Sequence, residues 1–256
     1  MTPHDDAHGQ SGFDVRLDWG LRGAECVAPG ADRAVVVDVL SFTTTLSVAA
    51  DRGIAVLPYP WRDAGAAELA RDADAALAVP RSRSGLGDVS LSPGSVRRVR
   101  DVERLVLPSP NGSTLAHRLA AEAGAVVGAC LRNADAVGRA LAAAGGTVAL
   151  VAAGERWPDG SLRPAVEDLW GVGAVADVLA REGRALSPEA QAAVDAYRGV
   201  RGEELDALLA CASGRELAAG GWEEDVRIAA EVGSSATVPV LVGGRFVDRA
   251  GGPLGR

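Results

Sequence analysis

Residues 34–40 read AVVVDVL, a continuous and largely β-branched run. It is too short for a helix and lacks the polar–apolar alternation of a half-exposed strand. A run of this kind is a strand buried on both faces, and such strands belong to parallel sheets covered by helices. The pattern recurs along the chain. A helix is expected at 43–51, stopped by Gly53, then a strand at 54–57 closed by Pro58 and Pro60, a helix at 62–71 and a strand at 75–79. A loop rich in Gly, Ser, Arg and Pro follows at 80–95. Next come a strand at 104–107, a turn SPNG at 109–112, a helix at 113–123, a strand at 125–128, a helix at 134–144 and a strand at 147–152. After a polar loop at 153–164, a helix is expected at 165–181 and a helical stretch at 187–231, with breaks near Gly199, Gly214 and Gly220. Two short strands, 238–242 and 245–247, flank a Gly243-Gly244 turn. The alternation implies an α/β fold with three layers, α/β/α, around a largely parallel or mixed central sheet, with a helical C-terminal segment.

At 256 residues the chain suits one domain, expected over 13–256, with 187–231 as a candidate helical cap or lobe. Residues 1–12, polar and acidic, are expected as a disordered leader and are the opposite of a signal peptide. The 34 acids outnumber the 26 bases, a net charge of −8. That balance argues against nucleic acid or an anionic membrane face as a partner. No apolar run reaches the roughly 18–20 residues of a transmembrane helix. Every base is Arg, so no Schiff-base, P-loop or kinase lysine exists. Cys26, Cys130 and Cys211 are odd in number and unclustered, which argues against disulfides or structural zinc and for a reducing compartment, the cytoplasm.

Ligands of open α/β sheets bind beyond the carboxyl ends of the strands, so the residues following each strand are the candidates. Asp38 is the sharpest, because a carboxylate inside VVVDVL costs several kcal/mol unless it is paired, hydrogen-bonded or metal-bound. It is either a structural acid held by amides or Arg, or a metal or catalytic group. A haloacid-dehalogenase nucleophile would need a second Asp two residues on, where Leu40 stands, and Asp72–Asp74 lacks the strand context. Ser41 and Thr43-Thr44-Thr45 open a helix and either cap it or hold a phosphate or sulfonate oxygen. Ser109, Pro110, Asn111, Gly112 and Ser113 form a second such turn, either an ordinary cap or a nest of N–H donors. Arg132 and Asn133 follow another strand. Glu155, Glu167 and Asp168 could join Asp38 in an oxygen-rich set suited to Mg²⁺ or Mn²⁺ rather than zinc, although acids in a first helical turn also favour the dipole. His4 and His8 lie in the leader and His117 reads as a solvated helix residue, so a Ser-His-Asp mechanism finds little support. Gly171-x-Gly173 imitates a dinucleotide fingerprint without the strand that should precede it.

These residues also occur in a familiar order. Asp38–Thr45 (DVLSFTTT), Ser92-Pro93-Gly94, SPNGS at 109–113, Arg132-Asn133-Ala134, Ala153-Gly154-Glu155, Glu167-Asp168 with Gly171 and Gly173, Asp225-Val226 and Val238-Pro239-Val240 together resemble the 2-phosphosulfolactate phosphatase (ComB-like) family, over about residues 14–248. The resemblance implies an Mg²⁺-dependent phosphatase, a hydrolase of phosphoric monoesters, with a fold of its own. It would convert 2-phospho-3-sulfolactate to 3-sulfolactate and phosphate, a step of coenzyme M biosynthesis. Carried over, it implies Asp38, the Thr43–Thr45 turn, Asn111-Gly112, Asn133, Glu155 and Glu167-Asp168 as site residues. Joined with the reading of the strand ends, that gives Asp38, Glu155 and Asn111 as catalytic candidates, Asp38, Glu167 and Asp168 as metal candidates, and Ser41, Thr43, Thr44, Thr45, Ser109, Gly112, Ser113, Arg132 and Asn133 as candidate substrate contacts. The partner is then a small anionic phosphate ester, and a homodimer is allowed. Two departures stand out: Ser41 where the family usually has Arg, and Ser90-Leu91-Ser92-Pro93 for a loop reading roughly Gly-Asn-Ser-Pro. Losing that Arg removes a charge-assisted contact that Arg81, Arg83 or Arg132 could replace. Two other readings remain: a phosphatase of another small phosphorylated acid or sugar, and a non-catalytic anion-binding protein. For the phosphatase, the nucleophile is either water, the favoured choice, or Asp38.

Overall fold

A computed structural model describes residues 7–60, 63–81, 85 and 88–255. Of the expected leader, residues 1–6 lie outside the described residues. Residues 7–12 are already a turn of structure, in which Gln10 exchanges hydrogen bonds with the backbone of Leu17 (2.8 and 2.9 Å). The expectation of disorder is therefore corrected for that stretch. Two elements that the sequence reading lacks follow: β1 (Val15–Trp19) and α1 (Gly20–Val27). β1 is a short edge strand buried only in part, so its sequence carries no long apolar run.

The alternation then proceeds as expected, with shifts of a few residues. β2 (Arg33–Val37) leads to α2 (Phe42–Asp51), and β3 (Ala55–Tyr59) to α3 (Ala64–Asp72) and β4 (Ala76–Leu77). β3 runs through Pro58, which was expected to close it, and the Pro58 carbonyl meets His117 Nε2 at 2.9 Å. The 80–95 loop is shorter than expected because Ser92 caps a helix, α4 (Pro93–Arg98), with Pro at its first position. β5 (Arg104–Pro108), α5 (Gly112–Glu122), β6 (Ala125–Ala129), α6 (Ala134–Ala144) and β7 (Val148–Ala152) come next. The polar loop contains a small ribbon, β8 (Glu155–Arg156) with β9 (Leu162–Arg163), before α7 (Val166–Arg181). The C-terminal stretch folds as α8 (Pro188–Arg198), α9 (Glu204–Ala210), α10 (Ala212–Ala219) and α11 (Glu223–Ala229), and the hairpin as β10 (Pro239–Val242) and β11 (Arg245–Asp248).

The nine-stranded sheet has the order β1-β7-β2-β6-β10-β11-β3-β5-β4. β2 lies between β6 and β7, parallel to both, which explains its unbroken apolar run. Val35, Val37, Val127 and Leu150 face one core shared with α6, α7 and α8. Val36, Val126, Ala149 and Val151 face a second core shared with α2 and α5. The C-terminal helices are not a detached lobe: Leu208, Cys211, Val226 and Ala229 belong to the first of these cores. Gly171 and Gly173 serve packing. A Cβ on either would stand 2.7 Å from Val37 or 2.1 Å from the Ala193 carbonyl, so small residues let α7 lie close on β2 and α8. Among the described residues no helix is long and apolar enough to cross a membrane.

The closing hairpin occupies the middle of the sheet. It joins two parallel blocks through the antiparallel pairs Val240–Val127 and Phe246–Val56. Three successive antiparallel contacts make the β2 and β5 blocks run in opposite local senses. In a flat sheet the carboxyl ends of β2 and β5 would then lie on opposite edges. The turns that follow them nonetheless meet, and Phe42 and Leu46 of α2 and Leu115 of α5 lie in a core with residues of both blocks.

Candidate active site

Asp38 stands just past the end of β2 rather than inside the strand. Its Oδ1 accepts the backbone N–H groups of Ser41 (2.9 Å) and Phe42 (3.0 Å). The carboxylate thus sits on the amides that open α2, where the helix dipole favours negative charge. This corrects the expectation for the threonine turn. Thr43, Thr44 and Thr45 are buried, and their hydroxyls donate to the carbonyls of Asp38, Val39 and Leu91, each at 2.8 Å. They brace the turn and present no hydroxyl to a ligand. Ser41 differs: its Oγ is buried, has no hydrogen-bond partner among the described residues, and belongs to the wall of a cavity.

The second turn meets the first. Gly112 N donates to Asp38 Oδ2 at 3.0 Å. Only glycine permits this approach, because a Cβ there would stand 2.3 Å from the Phe42 ring. Ser113 is spent on the Leu107 carbonyl (2.9 Å), whereas Ser109 and Asn111 line the cavity. Asn111 Nδ2 donates to Glu155 Oε2 at 3.1 Å, and its Oδ1 accepts from Arg156 Nε at 3.1 Å. The cavity, about 410 Å³, is bounded by Asp38, Ser41, Arg81, Ser109, Asn111 and Glu155, with apolar Leu40, Pro60, Leu91 and Pro110.

A third corner adds acids. Asp168, in the first turn of α7, accepts Val39 N (2.7 Å) at Oδ1 and Gly154 N (2.8 Å) at Oδ2. It ties the ends of β2 and β7 together and, like the buried Glu167, is not among the residues lining the cavity. The clustering shows in the proton affinities. Burial and the charges of Asp38 and Glu167 lift Glu155 to about 7, against the pull of Arg163. Burial, then the charges of Asp38, Glu167 and Glu155, pushes Asp168 well above the usual carboxylate range. Burial also raises Asp38, although three amides and the Arg81 charge oppose it.

Two expected contacts belong elsewhere. The Arg132 guanidinium bonds Glu231 (2.9 Å) and Asp51 (2.7 Å), so its charge is cancelled by protein carboxylates. Asn133 Oδ1 accepts Cys130 N (2.9 Å), and its Nδ2 donates to the carbonyls of Gly128 and Thr237. Neither lines the Asp38 cavity. Of the compensating arginines, Arg81 does line it, and Arg83 lies outside the described residues. The sequence reading gave no part in the site to the amides of Val39 and Gly154, or to Arg156 and Arg163; backbone donors carry no side-chain signal.

A family profile described as 2-phosphosulpholactate phosphatase matches residues 27–244. Two relatives, each named probable 2-phosphosulfolactate phosphatase, are 34% identical to this chain. The match with the Deinococcus radiodurans protein spans 224 residues, 83% of this chain and 89% of the relative. That with the Thermus thermophilus protein spans 220 residues, again 83% and 89%. A Symbiobacterium thermophilum protein of the same name is 29% identical over 221 residues, 84% of this chain and 93% of the relative. With a profile spanning most of its length and relatives of this identity and coverage, the chain belongs to the 2-phosphosulpholactate phosphatase family.

Proposed function

We propose that this protein hydrolyses the phosphate ester of 2-phospho-3-sulfolactate, giving 3-sulfolactate and inorganic phosphate, with Mg²⁺ as cofactor. The observation that carries the reading is the bond from Gly112 N to Asp38 Oδ2, which joins two distant strand-end turns at one acid-lined cavity. The names of the relatives support the substrate.

The donor chemistry fits a hard divalent cation. After burial, the charges of Asp38 and Glu167 raise the proton affinity of both Glu155 and Asp168, which marks an excess of negative charge that a cation would relieve. Among the described residues no three ligating side chains already form a metal cage. Mg²⁺ commonly takes one or two carboxylates and completes its shell with substrate phosphate oxygens and water. Asp38, through Oδ2, would hold it, while Asp168 keeps the turn in place. When bound, the cation supplies charge neutralisation on the phosphoryl oxygens.

The remaining steps fall to the chain itself. Three amides fix the Asp38 carboxylate in one orientation. Asn111 orients Glu155, whose carboxyl is divided between its two protonation states near neutral pH and so suits a general base. Glu155 takes a proton from the attacking water as the ester P–O bond breaks and the water oxygen bonds to phosphorus. It then gives that proton through solvent to the departing oxygen, so that the product hydroxyl and inorganic phosphate leave and Glu155 returns to its starting state. A second reading, a phosphatase of another small phosphorylated acid or sugar, draws on Ser41, whose buried hydroxyl offers a neutral contact at the cavity wall. Phosphate release from 2-phospho-3-sulfolactate and from a panel of non-sulfonated esters, with Mg²⁺ and with EDTA, separates the two. Mg²⁺-dependent preference for the sulfonated ester is expected; equal or faster release from another ester favours the second reading, and no release from any ester rejects both.

A further inference from the structure

Among the described residues lining the cavity, Asp38 and Glu155 are the acids and Arg81 is the only cation. Arg81 follows a fixed point of the chain: Val79 bridges Ser90, and its N–H donates to the Val89 carbonyl at 2.8 Å. Its guanidinium is held from the far end of the sequence. Arg81 Nη2 lies 3.1 Å from Asp225 Oδ2, on α11. Asp225 is buried, and its Oδ1 accepts the Ser92 hydroxyl at 2.5 Å and Gly94 N at 3.3 Å. A buried carboxylate gripped this way has a fixed direction, and an arginine has five N–H donors in a planar fork. The 3.1 Å pair falls short of hydrogen-bond geometry, so Asp225 anchors the guanidinium by charge while the guanidinium meets an anion in the cavity.

We infer that Arg81 is an oxyanion-binding residue of this cavity and that Asp225, with Ser92 behind it, is its positioning residue. The inference deepens the proposed function and rests on the reading that the cavity takes a phosphorylated acid. It also gives the Ser-Pro-Gly turn and the C-terminal helices a part in the site. Asp225 acts only through Arg81, so its removal should matter only while Arg81 is present.

The test is calorimetric binding of inorganic phosphate, in Mg²⁺, to the wild type and to R81A, R81K, D225N and R81A/D225N, each checked by thermal melting. R81A should weaken phosphate binding about tenfold or more, as loss of a charge-assisted contact does, and R81K should recover part of it. D225N should weaken it about threefold to tenfold on the same scale, and the double variant should bind no worse than R81A alone. With the ester, R81A and D225N should raise KM more than they lower kcat. Unchanged binding by R81A, or no measurable binding by the wild type, overturns the role of Arg81. A D225N effect that persists in full in the R81A background overturns the positioning role. If D225N does not fold, S92A replaces it, with a smaller loss expected that vanishes in the R81A background; no loss overturns the positioning role. Should the wild type leave 2-phospho-3-sulfolactate intact while phosphate binding follows this pattern, the substrate assignment fails and the Arg81–Asp225 pair stands.

Discussion

Two corners of the same sheet look alike in sequence and differ in structure. DVLSFTTT follows β2 and CLRN follows β6, and each leads a buried parallel strand into a helix. At the β6 corner the protein cancels the charge itself, although Arg132 Nε is buried without a hydrogen-bond partner among the described residues. Arg132 is divided between Asp51 and Glu231, and the Asn133 amide is spent on backbone. At the β2 corner something is left over. Asp38 receives an amide from another corner, Ser41 keeps an unmatched hydroxyl, and burial with the charges of nearby acids raises Asp168 and Glu155. A corner whose charges cancel is a brace, and a corner with uncancelled charge beside a cavity is a candidate site.

The contrast can be broken by mutation. Asp38→Asn should lower kcat/KM by about 10³-fold with the fold retained, the scale of losing a preorganised electrostatic group. Arg132→Ala should do the reverse. It should cost about 1–2 kcal/mol by removing a buried guanidinium that bridges two partly exposed carboxylates, while kcat/KM of the folded enzyme stays within about threefold of wild type. Denaturant melts and kinetics on both variants check the pair, and a large kinetic loss in the Arg132 variant would erase the distinction. Gly112→Ala should fall between them. Its Cβ would overlap the Phe42 ring, costing about 1–3 kcal/mol and pulling the amide away from Asp38.

Smaller effects sharpen the same contrast. Glu155 has a pKa of about 7 in the folded chain against its ordinary 4.5. Folding therefore favours its protonated form, and that stabilisation is complete below about 4.5 and lost as pH rises through about 7. The melting temperature of the metal-free protein should fall across this window. Glu155→Gln should flatten the fall, and Mg²⁺ should raise the melting temperature more above neutrality than below it. Last, Cys26 is exposed, whereas Cys130 is buried and burial together with the Glu167 charge pushes Cys211 up to about 12. Alkylation of the native protein at mildly alkaline pH should label Cys26 alone by mass spectrometry.

Much of this was legible where the signal is local. β2, β6 and β7 are continuous apolar runs because both their faces are buried, and α6 has its expected bounds. The corners after β2, β5 and β7 were legible as polar residues beyond strand ends, and the acids at 38, 155 and 168 are gathered there. What stayed hidden is either weak or long-range. β1 is short and half-buried, and α4 hides in a Gly/Ser-rich segment behind a Ser-Pro cap. Nothing local places β10 and β11 at the centre of the sheet, since that depends on pairing with β6 and β3. Nor does a threonine triplet reveal that its hydroxyls turn to backbone carbonyls. Arg81 and Asp225 meet only because α11 packs against α4, which no spacing encodes.

A crystal grown with Mg²⁺ and inorganic phosphate tests the central claim most directly. The account requires cation density at Asp38 Oδ2 and an anion within hydrogen-bond distance of the Arg81 guanidinium, inside the cavity that Asn111 and Glu155 close. Density at the Arg132–Asn133 corner instead, with the Asp38 cavity filled by water alone, would contradict it.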